Sequence, residues 1–288
     1  MNDIKKDLVQ WQIDMGHPGE DWMFTFANNH KENLVICLGD SWTWGDSLPD
    51  RENEMYGRLL SDYLNADLIN VGCPGWSNSW VLKNGEVILS SLRKNNQYKK
   101  VYVIVTLTEN ARDIKTAKSF DFAKWVFDNR PKLTKDLYHL ILETIEQHWS
   151  SQLQQLVDLS DDRFIFFVGQ NFVWHTIYNK LSNIPRVIIT DVNWIEVLAD
   201  AQNLPRPIRT NIVTRFSFDT FHDANTQMST TDLTYFKDYC LPLIAKAIEV
   251  NKWLDRSPMN YKKASKHPNA EGHKLWANHI FHQLVNFN

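Results

Sequence analysis

Along this chain, short apolar runs alternate with stretches in which apolar positions return every three or four residues. The runs lie at residues 34–38, 67–71, 100–107, 163–169 and 186–190, and each predicts a buried strand. Between the first four of these runs the pattern is helical. Met55, Leu59, Leu60 and Tyr63 fall on one helical face, a helix is expected at about 79–94, and Leu137, Leu140, Ile141 and Ile145 mark a face within the largely helical region 111–160. From His267 onward a loop runs into a final amphipathic helix. Buried strands that alternate with helices predict a parallel sheet with helices on both faces, in the α/β class.

The expected organisation is an N-terminal extension over residues 1–33, packed on one domain spanning 34–288. The extension is polar with scattered aromatics, Trp11, Trp22, Phe24 and Phe26, and reads as a helix and loop. Residues 191–262 are less regular. They carry the turn Leu204-Pro205-Arg206-Pro207, a strand candidate at 212–218 and a helix candidate at 233–254, and read as an elaboration of the same domain. Neither an internal repeat nor a low-complexity segment is present.

Composition narrows the partners. With 43% hydrophobic and 23% charged residues in 288, the chain has an ordinary globular composition. A net charge of -3, with no basic run beyond Lys262-Lys263, argues against nucleic acid as a partner. The residues after Met1 lack the apolar core of a signal peptide, and no stretch is long enough to span a bilayer, so the expectation is a cytoplasmic protein without a membrane partner. Cys37, Cys73 and Cys240 are odd in number and unevenly spaced. They read as thiols in a reducing compartment, without a disulfide framework or a zinc site. The 12 tryptophans suit both a filled core and a surface for carbohydrate or aromatic ligands.

Candidate chemistry collects where strands are expected to end. In an open parallel sheet, ligands bind beyond the carboxyl ends of the strands. Ser41 follows the first strand, Gly75 the second and Asn110 the third, while His267 precedes the last helix. A serine hydroxyl becomes a nucleophile when a base takes its proton, and histidine is the side chain suited to this near neutrality. Backbone N–H groups of Ser41 and Gly75, with the Asn110 amide, would be donors for a developing oxyanion.

The ordered blocks Gly39-Asp40-Ser41 with Gly45, Asn70-x-Gly72-x-x-Gly75-x-x-Asn78, Glu109-Asn110, and His267-Pro268-Asn269-x-x-Gly272-His273 resemble those of the SGNH (GDSL-like) hydrolase superfamily. The resemblance implies a three-layer α/β/α sandwich with a flavodoxin-like parallel sheet. It also implies hydrolysis of esters, often acetyl esters of sugars, lipids or small acyl compounds, without a metal or organic cofactor. Carried over by position, Ser41 is the nucleophile, His267 the base, and Ser41, Gly75 and Asn110 the oxyanion donors. The family places an aspartate three residues before the histidine, and here Ala264 stands in that position. A backbone carbonyl near Ala264 would leave a Ser–His dyad, while Asp191, Asp219, Asp223 or Asp255 would complete a triad. A degenerate site would instead make the chain a binding or structural module. On this reading the partner is a carbohydrate or small-molecule ester.

Plainer roles are expected for the neighbours. Asp40 reads as a turn or cap residue, Trp42 and Trp44 as core packing, Cys73 as a buried thiol and Asn78 as a tie within its own loop. His273, His279 and His282 read as surface histidines and Glu271 as the start of the final helix, with no metal site among them. The Gly-x-Ser-x-Gly elbow of α/β-hydrolases and a phosphate-cradling glycine loop are absent.

Overall fold

Every apolar run singled out above becomes a strand of one sheet. The computed structural model describes residues 1–15, 19, 21–46, 48–94, 97–108, 135–171, 184–201, 203 and 267–287. Its strands are Thr25–Ala27 (β1), Asn33–Gly39 (β2), Ala66–Gly72 (β3), Lys100–Leu107 (β4), Phe164–Gln170 (β5) and Val187–Ile189 (β6). Strands β2 to β6 are parallel, and β1 adds to the β3 edge antiparallel. The order across the sheet is β1-β3-β2-β4-β5-β6. From β2 the chain moves outward to β3, returns past β2 to β4, then continues to β5 and β6. Among the parallel strands this is the flavodoxin-like order, and its switch point lies between β2 and β4.

The helices are α1 (Asn2–Asp14), α2 (Ser41–Trp44), α3 (Arg51–Glu54), α4 (Tyr56–Tyr63), α5 (Asn78–Arg93), α6 (Lys135–Asp158), α7 (Trp194–Ala201) and α8 (Ala270–Asn286). Period-two alternation along the strands divides the core in two. Leu34, Ile36 and Leu38 of β2 join Val101, Val103 and Val105 of β4 beneath α1, α5 and α6. Val35 and Cys37 join Tyr102, Ile104 and Phe167 beneath α4, α7 and α8. Strands buried on both faces read as continuous apolar runs, which is why the sequence pattern located them. Burying one such side chain fully is worth about 1.5–3 kcal/mol. The architecture is a three-layer α/β/α sandwich.

Differences from the expected boundaries have local causes. Arg163 stays outside β5, where its guanidinium meets Asp161 at 2.7 Å. Arg186, expected to open the last strand, has φ 68, a left-handed conformation that a strand does not accommodate. Strand β1 was not expected, because three residues give too little alternation to register. The strand and helix candidates at 212–218 and 233–254, the Pro-rich turn at 204–207, Lys262-Lys263 and Cys240 lie outside the described residues. Among the described residues, no helix is long and apolar enough to cross a membrane.

Candidate active site

The switch point between β2 and β4 is where the nucleophile candidate sits. β2 ends at Gly39, and Asp40 caps the short helix α2 by accepting the Trp42 N–H on Oδ1 at 3.0 Å. The same oxygen accepts from Asn171 Nδ2 at 2.9 Å, at the end of β5. Asp40 is fully buried in this role, which is the cap expected of it. Ser41 then occupies the first helical position, where its N–H has no intrahelical acceptor.

Asn70 and Tyr56 tie α2 to the sheet. Asn70 Nδ2 donates to the Thr43 carbonyl at 2.9 Å, while its Oδ1 accepts the Gly72 N–H at 2.8 Å. Gly72 permits this approach: a Cβ there would lie 2.3 Å from the Trp44 nitrogen. The Tyr56 hydroxyl lies 3.2 Å from Thr43 Oγ1 and 3.1 Å from Thr106 Oγ1, linking α2 to β4 from below. Burial, followed by the neighbouring Cys37, pushes the Tyr56 hydroxyl well above its usual pKa, so it stays protonated. Trp42 packs in the core, with its ring 5.3 Å from that of Trp194.

His267 approaches from the other end of the chain. Its Nε2 lies 2.8 Å from Ser41 Oγ, although 226 positions separate the two residues. The same nitrogen lies 3.4 Å from Asp46 Oδ2. Two residues further on, Asn269 caps α8 by accepting the Gly272 N–H on Oδ1 at 3.0 Å, and Glu271 stands in the first turn. Trp194 Nε1 donates to the Gly272 carbonyl at 3.1 Å and ties this turn to α7. The loop that carries His267 is thereby anchored on both α7 and α8.

His273 is not on the surface, as expected from the sequence, but fully buried. The spacing from Asn269 puts it one turn into α8, facing α4, and its Nδ1 accepts the Tyr56 N–H at 3.1 Å. That bond assigns the proton of the neutral ring to Nε2. Burial, with a smaller contribution from His267, pushes its pKa down to about 3. His279 is likewise engaged, with Nε2 2.8 Å from Thr190 Oγ1 and its ring stacked on Trp276. Among the described residues, no group of three or more His, Cys, Asp or Glu side chains could hold a metal ion.

The remaining candidates are placed unevenly. Gly75 lies in the loop after β3, which is joined to the end of β2 by the Cys73 N–H donating to the Gly39 carbonyl at 3.1 Å. Its φ of 81 is a left-handed conformation suited to glycine, and its Cα faces open space. Asn78 ties down more than its own loop: it exchanges hydrogen bonds with the Thr108 backbone, Nδ2 to O at 2.8 Å and N to Oδ1 at 2.9 Å. This clamp joins α5 to the end of β4, two residues before Asn110. Glu109, Asn110 and Ala264 lie outside the described residues, as do Asp219, Asp223 and Asp255. Asp191 is exposed just after β6. Cys73 is buried with its Sγ 3.2 Å from Met23 Sδ, and burial pushes the Cys37 thiol strongly upward, so neither has the features of a reactive thiol. A cavity of about 500 Å³ between α1 and α5 runs along α5 from Lys83 to Lys94, and Ser41 is not among its lining residues.

Asp46 is the residue that sequence reasoning missed. It belongs to no block of the resemblance, and only the turn after α2 brings it to His267. A serine hydroxyl facing an imidazole nitrogen, beside a helix start and a carboxylate, has the parts of a nucleophilic hydrolase site. No family model matches the chain, and no curated protein matches it. Solved structures to which it is similar include AlinE4, an SGNH-hydrolase family esterase, at 16% identity over 76% of this chain and 97% of that one, with a TM-score of 0.38. A member of the lipolytic protein G-D-S-L family from Veillonella parvula is similar at 11% identity over 88% and 97%, with a TM-score of 0.37. A carbohydrate esterase family 2 enzyme with a carbohydrate-binding domain, from Corynascus thermopiles, is similar at 14% identity over 88% and 67%, also with a TM-score of 0.37. Likenesses this distant leave the chemistry to be argued from the chain's own residues.

Proposed function

We propose that this protein is a serine esterase of the SGNH type. The observation that carries the reading is the 2.8 Å approach of His267 Nε2 to Ser41 Oγ at the switch point of the sheet. In the proposed reaction His267 takes the Ser41 hydroxyl proton as the oxygen attacks an ester carbonyl. The N–H groups of Ser41 and Gly75 and the Asn110 amide hold the oxyanion; losing one such donor costs on the order of a hundred- to a thousand-fold in rate. The protonated His267 returns its proton to the departing alcohol, and water activated by the same nitrogen releases the acid from the acyl-enzyme.

The proposed substrate is a carbohydrate or small-molecule ester, with an O-acetyl group as the acyl part. The half-exposed Trp22 supports an aromatic rim: it meets Trp44, three residues after Ser41, edge-on at 5.9 Å, while the Arg51 guanidinium covers Trp44 at 4.3 Å. Exposed aromatic faces suit the apolar side of a sugar ring. The test is hydrolysis of a panel of acetylated sugars and 4-nitrophenyl esters of increasing chain length. The reading expects acetate release that falls at least a thousand-fold in Ser41→Ala. Equal background release by wild type and variant would instead favour a binding module built on the same fold.

A further inference from the structure

We propose that Asp46 is the charge partner of His267, a positioning residue that takes over the electrostatic role left open by Ala264. This inference rests on the esterase reading of Ser41 and His267. Gly45, at φ 83, closes α2 in a left-handed cap, and the N–H groups of Gly45 and Asp46 both donate to the Ser41 carbonyl, at 3.1 and 2.9 Å. The turn therefore fixes Asp46 relative to the residue whose hydroxyl meets the histidine. A Cβ on Gly45 would also lie 3.0 Å from Leu48 Cδ1 and 3.1 Å from Met55 Cβ, so the cap is closely packed.

From that position Asp46 Oδ2 reaches 3.4 Å from His267 Nε2, the atom that Ser41 Oγ also faces. Nε2 is where the transferred proton resides. As the Ser41 O–H bond breaks, an N–H bond forms at Nε2 and the serine oxygen bonds to the ester carbon, whose carbonyl electron pair moves onto oxygen. When the carbon–alkoxy bond breaks, the same proton leaves with the alcohol. The carboxylate binds no proton at any step; it offsets the positive charge while the imidazolium exists. In the family arrangement the aspartate acts on the opposite ring nitrogen. Here the counter-charge lies on the reacting side, and the N–H can point to either Ser41 Oγ or the carboxylate.

Among the described residues, two titratable neighbours are engaged in other ways. His273, from α8, is buried and neutral, with its Nδ1 occupied by the Tyr56 N–H. Asp40, one residue before Ser41, directs Oδ1 at the Trp42 N–H and Asn171. Asp46 is partly exposed, with 37% of its side-chain surface open against 22% for His267, so the pair is moderated by solvent and sensitive to salt.

The test is a histidine-ring NMR titration of the full chain, with His267 assigned by its loss in His267→Gln. The proposal expects His267 to titrate about one pH unit lower in Asp46→Asn than in wild type, and Asp46→Glu to recover at least half of that shift. In the wild type itself, raising salt from about 0.05 to 1 M is expected to move the titration the same way by a few tenths of a unit, which needs no variant to fold. A His267 titration unmoved by both the substitution and the salt would overturn the proposal. This readout requires no turnover, so it separates the pair from the esterase reading: a shift without serine reactivity would sink that reading alone. In kinetics, the acid limb of kcat/KM is expected to move down with the titration, with kcat reduced about three- to ten-fold in Asp46→Asn.

Discussion

Ser41 and His267 each occupy a position that local chemistry made readable. Ser41 follows an apolar strand at a Gly-Asp turn, and His267 precedes a Pro-Asn helix start, so both could be named before any contact was known. His273 could not. Histidine at one helical turn from Asn269 reads as a surface residue until α4 is seen to bring the Tyr56 N–H to its Nδ1. Its burial has a consequence for stability. With a folded pKa of about 3 and an unfolded value near the ordinary ~6.5, the unfolded chain binds more protons between those values. The stabilising contribution of the neutral ring is complete above about pH 6.5 and declines as pH falls toward about 3. His273→Asn keeps an acceptor for the Tyr56 N–H and removes the titration. Between pH 7 and 5, urea denaturation should show the wild type losing about 2 kcal/mol more than this variant; equal losses would contradict the assignment.

At the scale of elements, the five parallel strands were legible because strands buried on both faces are continuous apolar runs, and α4, α5 and α8 because their apolar residues follow helical spacing. Strand β1 and the cap after α2 were not. The first is too short to show a period, and the second depends on Gly45 adopting a positive φ, which a Trp-Gly-Asp string does not by itself specify. The Asn78 clamp was misread for a related reason: an asparagine in a loop sequence suggests a local bond, whereas the parallel crossover sets it against β4. Both Thr108 backbone groups are satisfied by this one side chain. Asn78→Ala would leave a buried N–H and a buried carbonyl without it, at a cost of about 2–4 kcal/mol. The expected outcome is a lower denaturation midpoint and, on the proposed esterase reading, weaker activity, since the end of β4 loses its anchor. Unchanged stability would show that water or a neighbour replaces the bonds.

For the whole molecule, the order of the strands brings the ends that follow Gly39, Gly72 and Leu107 to one edge of the sheet. Ser41 leaves β2, the Gly75 loop leaves β3, and the segment toward Asn110 leaves β4, three strands adjacent in the sheet. The final helix then packs against α4 and α7, and its capped N-terminus returns His267 to the same edge. Block order in the sequence could suggest this convergence, but it did not contain the 2.8 Å contact or the carboxylate beside it. Those depend on how the second helical layer docks. On the proposed reading, activation of Ser41 is a property of the assembled fold: neither the β2–α2 turn nor the α8 cap brings the two side chains together alone.

Labelling with a serine-directed fluorophosphonate, read by intact-mass and peptide mass spectrometry, tests that claim most directly. Wild type, Ser41→Ala and His267→Ala would be compared under conditions that label an established serine esterase. The account predicts one adduct, on Ser41, absent from Ser41→Ala and slowed at least a hundred-fold in His267→Ala. No adduct on the folded wild type, or equal labelling of Ser41 with and without His267, would contradict it.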